Sequence, residues 1–222
     1  MTNPIGTYAF LPWLRRGIAN TITAADGDAG VALRAAVPVD LRITADQVGG
    51  GSTSQDLHRD VQLVGPSDIT GLDQRAIFRR EPRPGVTDFE PNYLPFVEFY
   101  DEDIPWRYTP AAPHPATRRL RPWLALVVLA EGEFDEAAGA AAGGPLPYVT
   151  VADLGSFPPA DELWAWAHVH VNRSLAAAAG QVVSDDTAAV LGRFDATLAE
   201  NPDLASARLV SPRRLAPNTG YH

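Results

Sequence analysis

Alternation of apolar and polar residues predicts several strands along the chain, most of them short. Residues 32–43 alternate around Pro38, which predicts an edge strand that is broken or bulged at the proline. Residues 61–64, 94–100 and 204–210 predict three further strands, the first of them stopped by a glycine-proline pair. Paired strands are therefore expected to make up most of the regular structure.

Two other segments predict strands with different surroundings. Residues 123–130 are apolar on both sides of an extended chain, which indicates a buried strand. Residues 162–172 alternate strictly, with small side chains on one face. The opposite face would carry Trp164, Trp166, His168 and His170.

Helical periodicity is confined to the last third of the chain. Residues 174–180 predict a short alanine-rich helix ended by glycine, and a second helix begins after Asp186 and ends at Asn201. The fold class predicted is α+β, with a mostly antiparallel sheet, long proline-rich loops and two short helices in the C-terminal third.

Domain organisation follows from the changes in composition. Residues 1–55 are expected to form an N-terminal segment with the edge strand and a flexible glycine-rich loop at 49–54. Residues 56–222 would form the main α+β domain. Within it, 65–93 is expected to be an ordered connection with a brief turn, and 131–144 a loop or frayed helix.

The composition of the chain excludes several kinds of catalytic chemistry. The chain has 222 residues, a net charge of −9, no cysteine, and 18 basic residues that are all arginine. Thiolate catalysis, disulfides and lysine-dependent chemistry are therefore excluded. The acidic balance argues against nucleic acid or an anionic membrane as partner, and the longest apolar run is too short to span a bilayer. We expect a cytoplasmic protein without a cofactor and without direct membrane insertion.

Candidate catalytic motifs are weak. His168 and His170 alternate on one predicted strand and are the only metal-like pair, but no third ligand stands at a diagnostic spacing. A packing role is favoured for them. The alternative is a metal-dependent enzyme or a carbohydrate-binding module centred on Trp164, Trp166, His168 and His170. The acidic run 101–103 is expected to be a solvated turn paired with Arg107.

An aromatic-proline framework in the middle of the chain is the strongest interaction signal. Large aromatic side chains beside rigid prolines form fixed apolar anchors, and arginine makes bidentate contacts with carboxylates. The residues expected at an interface are Trp106, Arg107, Tyr108, Arg118, Arg119, Arg121 and Trp123. On this hypothesis Trp106→Ala abolishes assembly and leaves the isolated chain folded.

The strings DIPWRYTPA (103–111), RLRPWLALVVL (119–129) and SPRRL (211–215), with PNTGY (217–221), carry a resemblance. They resemble uncharacterised bacterial proteins, notably actinobacterial ones, that are encoded with phage-tail-like contractile injection systems. The resemblance implies a structural, non-enzymatic subunit at the baseplate or associated with it, whose partners are the other subunits of a large symmetric particle. It also implies that these residues are the N-terminal part of a longer protein. It supplies no catalytic residues.

Overall fold

The computed structural model describes residues 9–24, 34–137, 147–171 and 187–222. Its strands and its α-helix are β1 (Ala9–Leu11), β2 (Ala36–Asp46), β3 (Ser52–Gln62), β4 (Ile77–Glu81), β5 (Phe96–Phe99), β6 (Phe134–Ala137), β7 (Tyr148–Val151), β8 (Ala167–Val171), α1 (Thr187–Glu200) and β9 (Ala205–Val210). Short 3-10 turns connect them, among them Gly17–Thr21 and Leu163–Trp166. The predicted α+β class is confirmed.

The central element is a five-stranded antiparallel sheet in the order β1-β8-β9-β5-β4. Its inner face is apolar because every second residue of the strands is small or aliphatic, as in Val169, Ala207 and Leu209. Helix α1 contributes Phe194 and Leu198 to the same core. Burial of these side chains supplies the main driving force for folding.

The outer face of this sheet is charged. Strand register aligns His168, Arg208, Glu98 and Arg79 in one row across β8, β9, β5 and β4. Glu98 is buried and accepts two bonds from Arg208, of which the Nε–Oε1 bond is 2.8 Å. The guanidinium groups of Arg79 and Arg208 also lie over the ring of Phe96. The row is thus a polar layer in which the buried Glu98 carboxylate lies between two arginines.

Strands β2 and β3 form a long two-stranded hairpin, which we call the arm (residues 36–62). Its turn runs through Gly49, Gly50 and Gly51, all with positive φ. Glycine is the residue that adopts such angles without a steric penalty. At its base, Val37 is buried in a small cluster with Ile22 and with the residue that precedes β2, Ala35.

A second, smaller hairpin pairs β6 with β7. The segment that follows β9 lies beside its start: Arg213 donates to the Val128 carbonyl at 3.1 Å and pairs with Glu133. Leu129 and His222 exchange two backbone hydrogen bonds. These contacts hold the last residues of the chain against the segment that leads into β6.

Most strand predictions near the core are confirmed. Strands β5 and β9 occupy the expected segments 94–100 and 204–210, and α1 ends where Asn201 and Pro202 predicted. The helix expected at 174–180 lies outside the described residues. The predicted domain boundary after residue 55 falls inside β3, and the division into two parts stays a prediction.

Other predictions are wrong. Residues 52–54 belong to β3 rather than to a flexible loop, and β2 continues through Pro38 without a break. Residues 123–130 make a single bridge, between Ala130 and Tyr221, instead of a buried strand. Their apolar sequence reflects core packing without a strand, since Leu124 and Leu126 pack against the main core.

Three further strands differ from expectation. Strand β4 lies within the predicted connection 65–93, and β6 lies within the predicted loop 131–144, whose residues 138–144 are outside the described ranges. Of the predicted strand 162–172, the described residues form a 3-10 turn at Leu163–Trp166 followed by β8, so only the part from Ala167 to Val171 is a strand. Strands β4 and β6 are too short to carry a periodic signal, whereas the alternation in the third segment begins before the strand does.

Candidate assembly surfaces

Residues 101–123 fold into a turn-rich structure, which we call the corner. Trp106 lies at its centre and is 0% exposed. The indole Nε1 donates to the Leu120 carbonyl at 3.2 Å, and the ring belongs to the main core. The expectation that Trp106 is an exposed anchor is therefore wrong. Large aromatic residues dominate interior packing, and the prolines beside this one shape the chain that encloses it.

Other residues expected at an interface also bind within the chain. Arg107 donates to Asp101 at 2.7 Å and, through Nε, to Asp103 at 3.0 Å, so the predicted pairing with Arg107 is confirmed. The turn is not solvated as predicted, because Glu102 and Asp103 are buried. Tyr108 packs edge-on against Trp123 with ring centroids 5.1 Å apart. These half-buried side chains stabilise the corner, and only part of each faces outward.

The three arginines expected at the interface lie on the outside of the corner or at its rim. Arg118 and Arg119 are exposed, and Arg121 is half-buried. The Arg119 guanidinium lies 3.6 Å from the ring centre of Trp164, so it covers that indole face. The seven residues predicted from the sequence are therefore divided between the core, the corner and the surface.

Arg15 is a structural residue that the sequence did not reveal. Its guanidinium is buried and donates through Nη1 to the carbonyls of Thr109 and Ala111, at 3.0 and 2.6 Å. Burial lowers the pKa of Arg15 to about 10. No periodicity or motif marks it, since its partners are nearly one hundred residues away.

His168 and His170 lie on one face of β8, as their spacing predicted. Burial and the nearby Arg208 lower the pKa of His168, and the same causes lower the pKa of His170 to about 4. A neighbouring guanidinium also opposes a bound cation. Among the residues that the structure describes, no group of three or more His, Asp or Glu side chains is arranged to hold a metal ion.

The two tryptophans do not share that face. Trp164 and Trp166 belong to the 3-10 turn before β8, because the extended strand begins only at Ala167. The predicted row of four side chains is therefore wrong in its first half. A metal or carbohydrate function for these residues stays a prediction that elemental analysis and glycan binding would test.

The arm is the most unusual surface, because its two faces differ sharply in polarity. Strand register places Leu41 opposite Leu57 and Ile43 opposite Gln55 on one face, with Val39 and its partner Arg59 beside them. Leu41 is 52% exposed and Ile43 is 56% exposed. This apolar face lies on a two-stranded ribbon against which, in the part of the chain that the structure describes, little packs beyond its base.

The opposite face of the arm is charged and internally paired. Arg42 binds Asp56 through two hydrogen bonds of 2.6 and 2.9 Å. His58 Nδ1 lies 2.6 Å from Asp40, and the pKa of His58 is raised by that hydrogen bond and by the charges of Asp40 and Asp60. Polar pairs fix which face of the ribbon remains apolar.

The alternation in β2 is visible in the sequence, whereas its pairing with β3 is not. The partner strand β3 has the sequence STSQDLHRDVQ, in which polar residues occupy both faces. Alternation is lost when neither face of a strand enters the core. Three consecutive glycines between two extended segments are the available turn signal, although from the sequence they predict only a flexible loop.

No family model, no curated protein and no solved structure matches this chain. None of the helices within the described ranges is both long enough and apolar enough to cross a membrane. The function is therefore argued from the surfaces above.

Proposed function

We propose that the protein is a structural subunit that assembles with neighbouring subunits through the arm. The uncovered apolar face of the arm carries this proposal. A two-stranded hairpin is marginally stable alone in water, and a hairpin with exposed Leu41 and Ile43 gains most when a neighbour covers them. Covering each half-exposed side chain contributes on the order of 1 kcal/mol.

The kind of assembly follows from the resemblance of the central and C-terminal strings to proteins encoded with contractile injection systems. We assign the chain to such a particle, at the baseplate or beside it, as a non-enzymatic component located in the cytoplasm. The surface arginines Arg118 and Arg119 would add contacts with acidic neighbours. Trp106 takes no direct part, because it is enclosed by its own chain.

A matched pair of variants tests the role of the arm. Ile43→Asp places a charge on the apolar face, and Thr44→Asp places the same charge one residue away on the polar face. In density-gradient sedimentation of native lysate, we expect the wild type and Thr44→Asp to move with large particles. Ile43→Asp should remain near the top with free protein. Both variants should keep the melting temperature of the wild type.

Two results would contradict the proposal. The wild-type chain sedimenting only as a free small protein would remove the particle assignment. Equal incorporation of Ile43→Asp and Thr44→Asp would show that the apolar face of the arm is not used.

A further inference from the structure

Strand β3 forms an open edge of the arm along its whole length. Within the described ranges it pairs only with β2, and all of its residues except Leu57 are exposed. Independent stability of a sheet in water requires three or more strands with an apolar face, or packing against a helix. The arm therefore gains stability when a further strand is added to this edge.

Hydrogen bonds at the two ends of the arm show which residues of β3 direct their backbone groups outward. The Leu63 N–H donates to the Ala35 carbonyl at 2.8 Å, and the Gln47 N–H donates to the Gly51 carbonyl at 2.9 Å. Both pairs continue the β2–β3 register, in which hydrogen-bonded pairs alternate with pairs that are not hydrogen-bonded. The odd-numbered residues of β3 therefore bond to β2. The even-numbered residues, whose N–H and C=O groups point outward, are Ser52, Ser54, Asp56, His58, Asp60 and Gln62.

The opposite edge of the arm, on β2, is less suited to pairing with another strand. The same alternation directs the backbone nitrogen of Pro38 outward, because Pro38 and Asp60 form a pair that is not hydrogen-bonded. Proline has no N–H to donate, and it protects the edge strands on which it occurs. Strand β3 contains no proline, so its row of outward donors is complete.

The sequence of β3 is complementary to itself when two copies run antiparallel. A two-fold axis at Leu57 pairs all eleven residues of the strand, with Ser52 of each copy opposite Gln62 of the other. Asp56 of each copy then lies opposite His58 of the other, and the two Leu57 side chains lie opposite each other. Residues with outward backbone groups meet one another in this register, as an antiparallel ladder requires.

Neighbouring registers are less favourable because of charge. Moving the axis by one residue in either direction places Asp56 opposite Asp56 or Asp60 of the other copy, and like charges directly opposite each other destabilise a strand pair. With the axis at Leu57, Asp60 lies opposite Ser54, so no two carboxylates are directly opposed. Length of overlap, charge and apolar contact therefore favour the same register.

We propose that two copies of the chain pair through the β3 edges of their arms, about a two-fold axis at Leu57, to form one four-stranded antiparallel sheet. This inference rests on the proposed function, since it takes the arm to be the assembly element and names a second copy as its first partner. Leu41 and Leu57 of both copies form one row across the four strands. The joined arms thus present a single apolar face of twice the width to the neighbouring subunits that cover Leu41 and Ile43.

Disulfide cross-linking of single-cysteine variants tests the pairing, because the chain has no cysteine of its own. With the axis at Leu57, the two Leu57 Cα atoms are about 4.5 Å apart, within the range that a disulfide spans. We expect air-oxidised Leu57→Cys to run as a covalent dimer in non-reducing gel electrophoresis. Leu41→Cys is the matched control on the same face. Its Cα atoms would be three strand spacings apart, about 14 Å, and it should remain monomeric in the gel.

A pair of proline variants tests which edge of the arm is used. Ser54→Pro removes an outward N–H from β3, and Thr44→Pro removes the outward N–H of its partner residue in β2. Neither N–H belongs to the β2–β3 ladder, and the fixed φ of proline acts on both strands alike. In sedimentation velocity of the 222-residue chain, we expect the wild type and Thr44→Pro to dimerise as concentration rises. Ser54→Pro should dimerise roughly ten-fold more weakly or less, since symmetry removes two ladder hydrogen bonds.

The outcomes separate this inference from the proposed function. A wild type that is monomeric at every concentration, or a dimer in which Leu57→Cys forms no cross-link, would overturn pairing through β3. Cross-linking of Leu41→Cys instead would place the contact at β2 and overturn it as well. If the pairing fails while Ile43→Asp is still excluded from particles in lysate, the arm assembles on a different protein and the proposed function stands. If Ile43→Asp enters particles normally, the proposed function fails, and the cross-link alone decides the pairing.

Discussion

The corner and the arm differ in where their large apolar side chains find contacts. In the corner, Trp106 is enclosed by its own chain and bonds to the Leu120 carbonyl. In the arm, Leu41 and Ile43 extend from a ribbon that leaves more than half of each exposed. Burial within one chain stabilises the fold, whereas the same kind of side chain left uncovered stabilises only a complex. Substitutions in the two regions should therefore affect different measurements.

The largest effect is expected from Trp106→Ala in the corner. Removing a fully buried indole leaves a cavity, which costs about 3–5 kcal/mol. For a chain of this size, that lowers the melting temperature by roughly 6–20 °C. Differential scanning calorimetry of the isolated chain measures it.

Tyr93→Ala is the control, because Tyr93 is 66% exposed and its removal should change the melting temperature little. If Trp106→Ala melted within about 2 °C of the wild type, the conclusion that Trp106 stabilises the fold through its burial in the corner would be contradicted.

A smaller and purely local effect is expected from Gly50→Ala at the tip of the arm. Gly50 has a φ of 99°, which an alanine adopts at a cost of about 1–3 kcal/mol. The turn should loosen while the corner is unchanged. Amide hydrogen exchange of Gln47, whose N–H donates to the Gly51 carbonyl, reports on the turn directly.

Gly71→Ala is the matched control, since Gly71 has open space around it and no positive φ. Equal exchange of the Gln47 amide in the two variants would show that the turn does not depend on glycine. Faster exchange of the Trp106 amide in Gly50→Ala would show that the arm and the corner are not energetically separate.

The smallest expected effect is a pH dependence of local stability, which should appear in the arm and not in the corner. Asp40 raises the pKa of His58 in the folded arm. A raised folded pKa means that the stabilisation is fully present below the unfolded pKa and is lost as pH rises through the folded value. Protection factors of β2 and β3 amides should therefore fall slightly from weakly acidic to alkaline pH. In His58→Gln they should not change over this range, and an equal fall there would contradict the assignment.

The sequence predicted those elements whose own residues show which side is buried or where the element ends. Strand β9 has alternate residues in the core, so its apolar period is complete, and α1 has an end signal at Asn201 and Pro202. Strand β3 has no buried face, and β4 is short with a bulge between Ile77 and Arg79. Neither strand leaves a periodic trace for a sequence pattern to detect.

The candidate surface was harder to predict than the fold. An aromatic residue next to proline gives the same sequence signal whether it anchors a partner or fills a core. For Trp106, only contacts with residues distant in the sequence show that it fills the core. The alternation predicted over residues 32–43 is present in β2, where Leu41 and Ile43 lie on one face. The sequence does not show that this face is left exposed, because its exposure depends on where the other elements of the fold lie.

The attachment of the arm has a mechanical consequence. The ribbon is eleven residues long on each strand and about 35 Å in extent, and it is held at its base by Val37, Ile22 and Ala35. Any rotation of the ribbon would have its pivot at this base, where the Leu63 N–H also donates to the Ala35 carbonyl. A rotation of about 10° at that pivot moves the glycine tip by roughly 6 Å over such a length. Small rearrangements around Ile22 would therefore be transmitted as large displacements to whatever the tip touches.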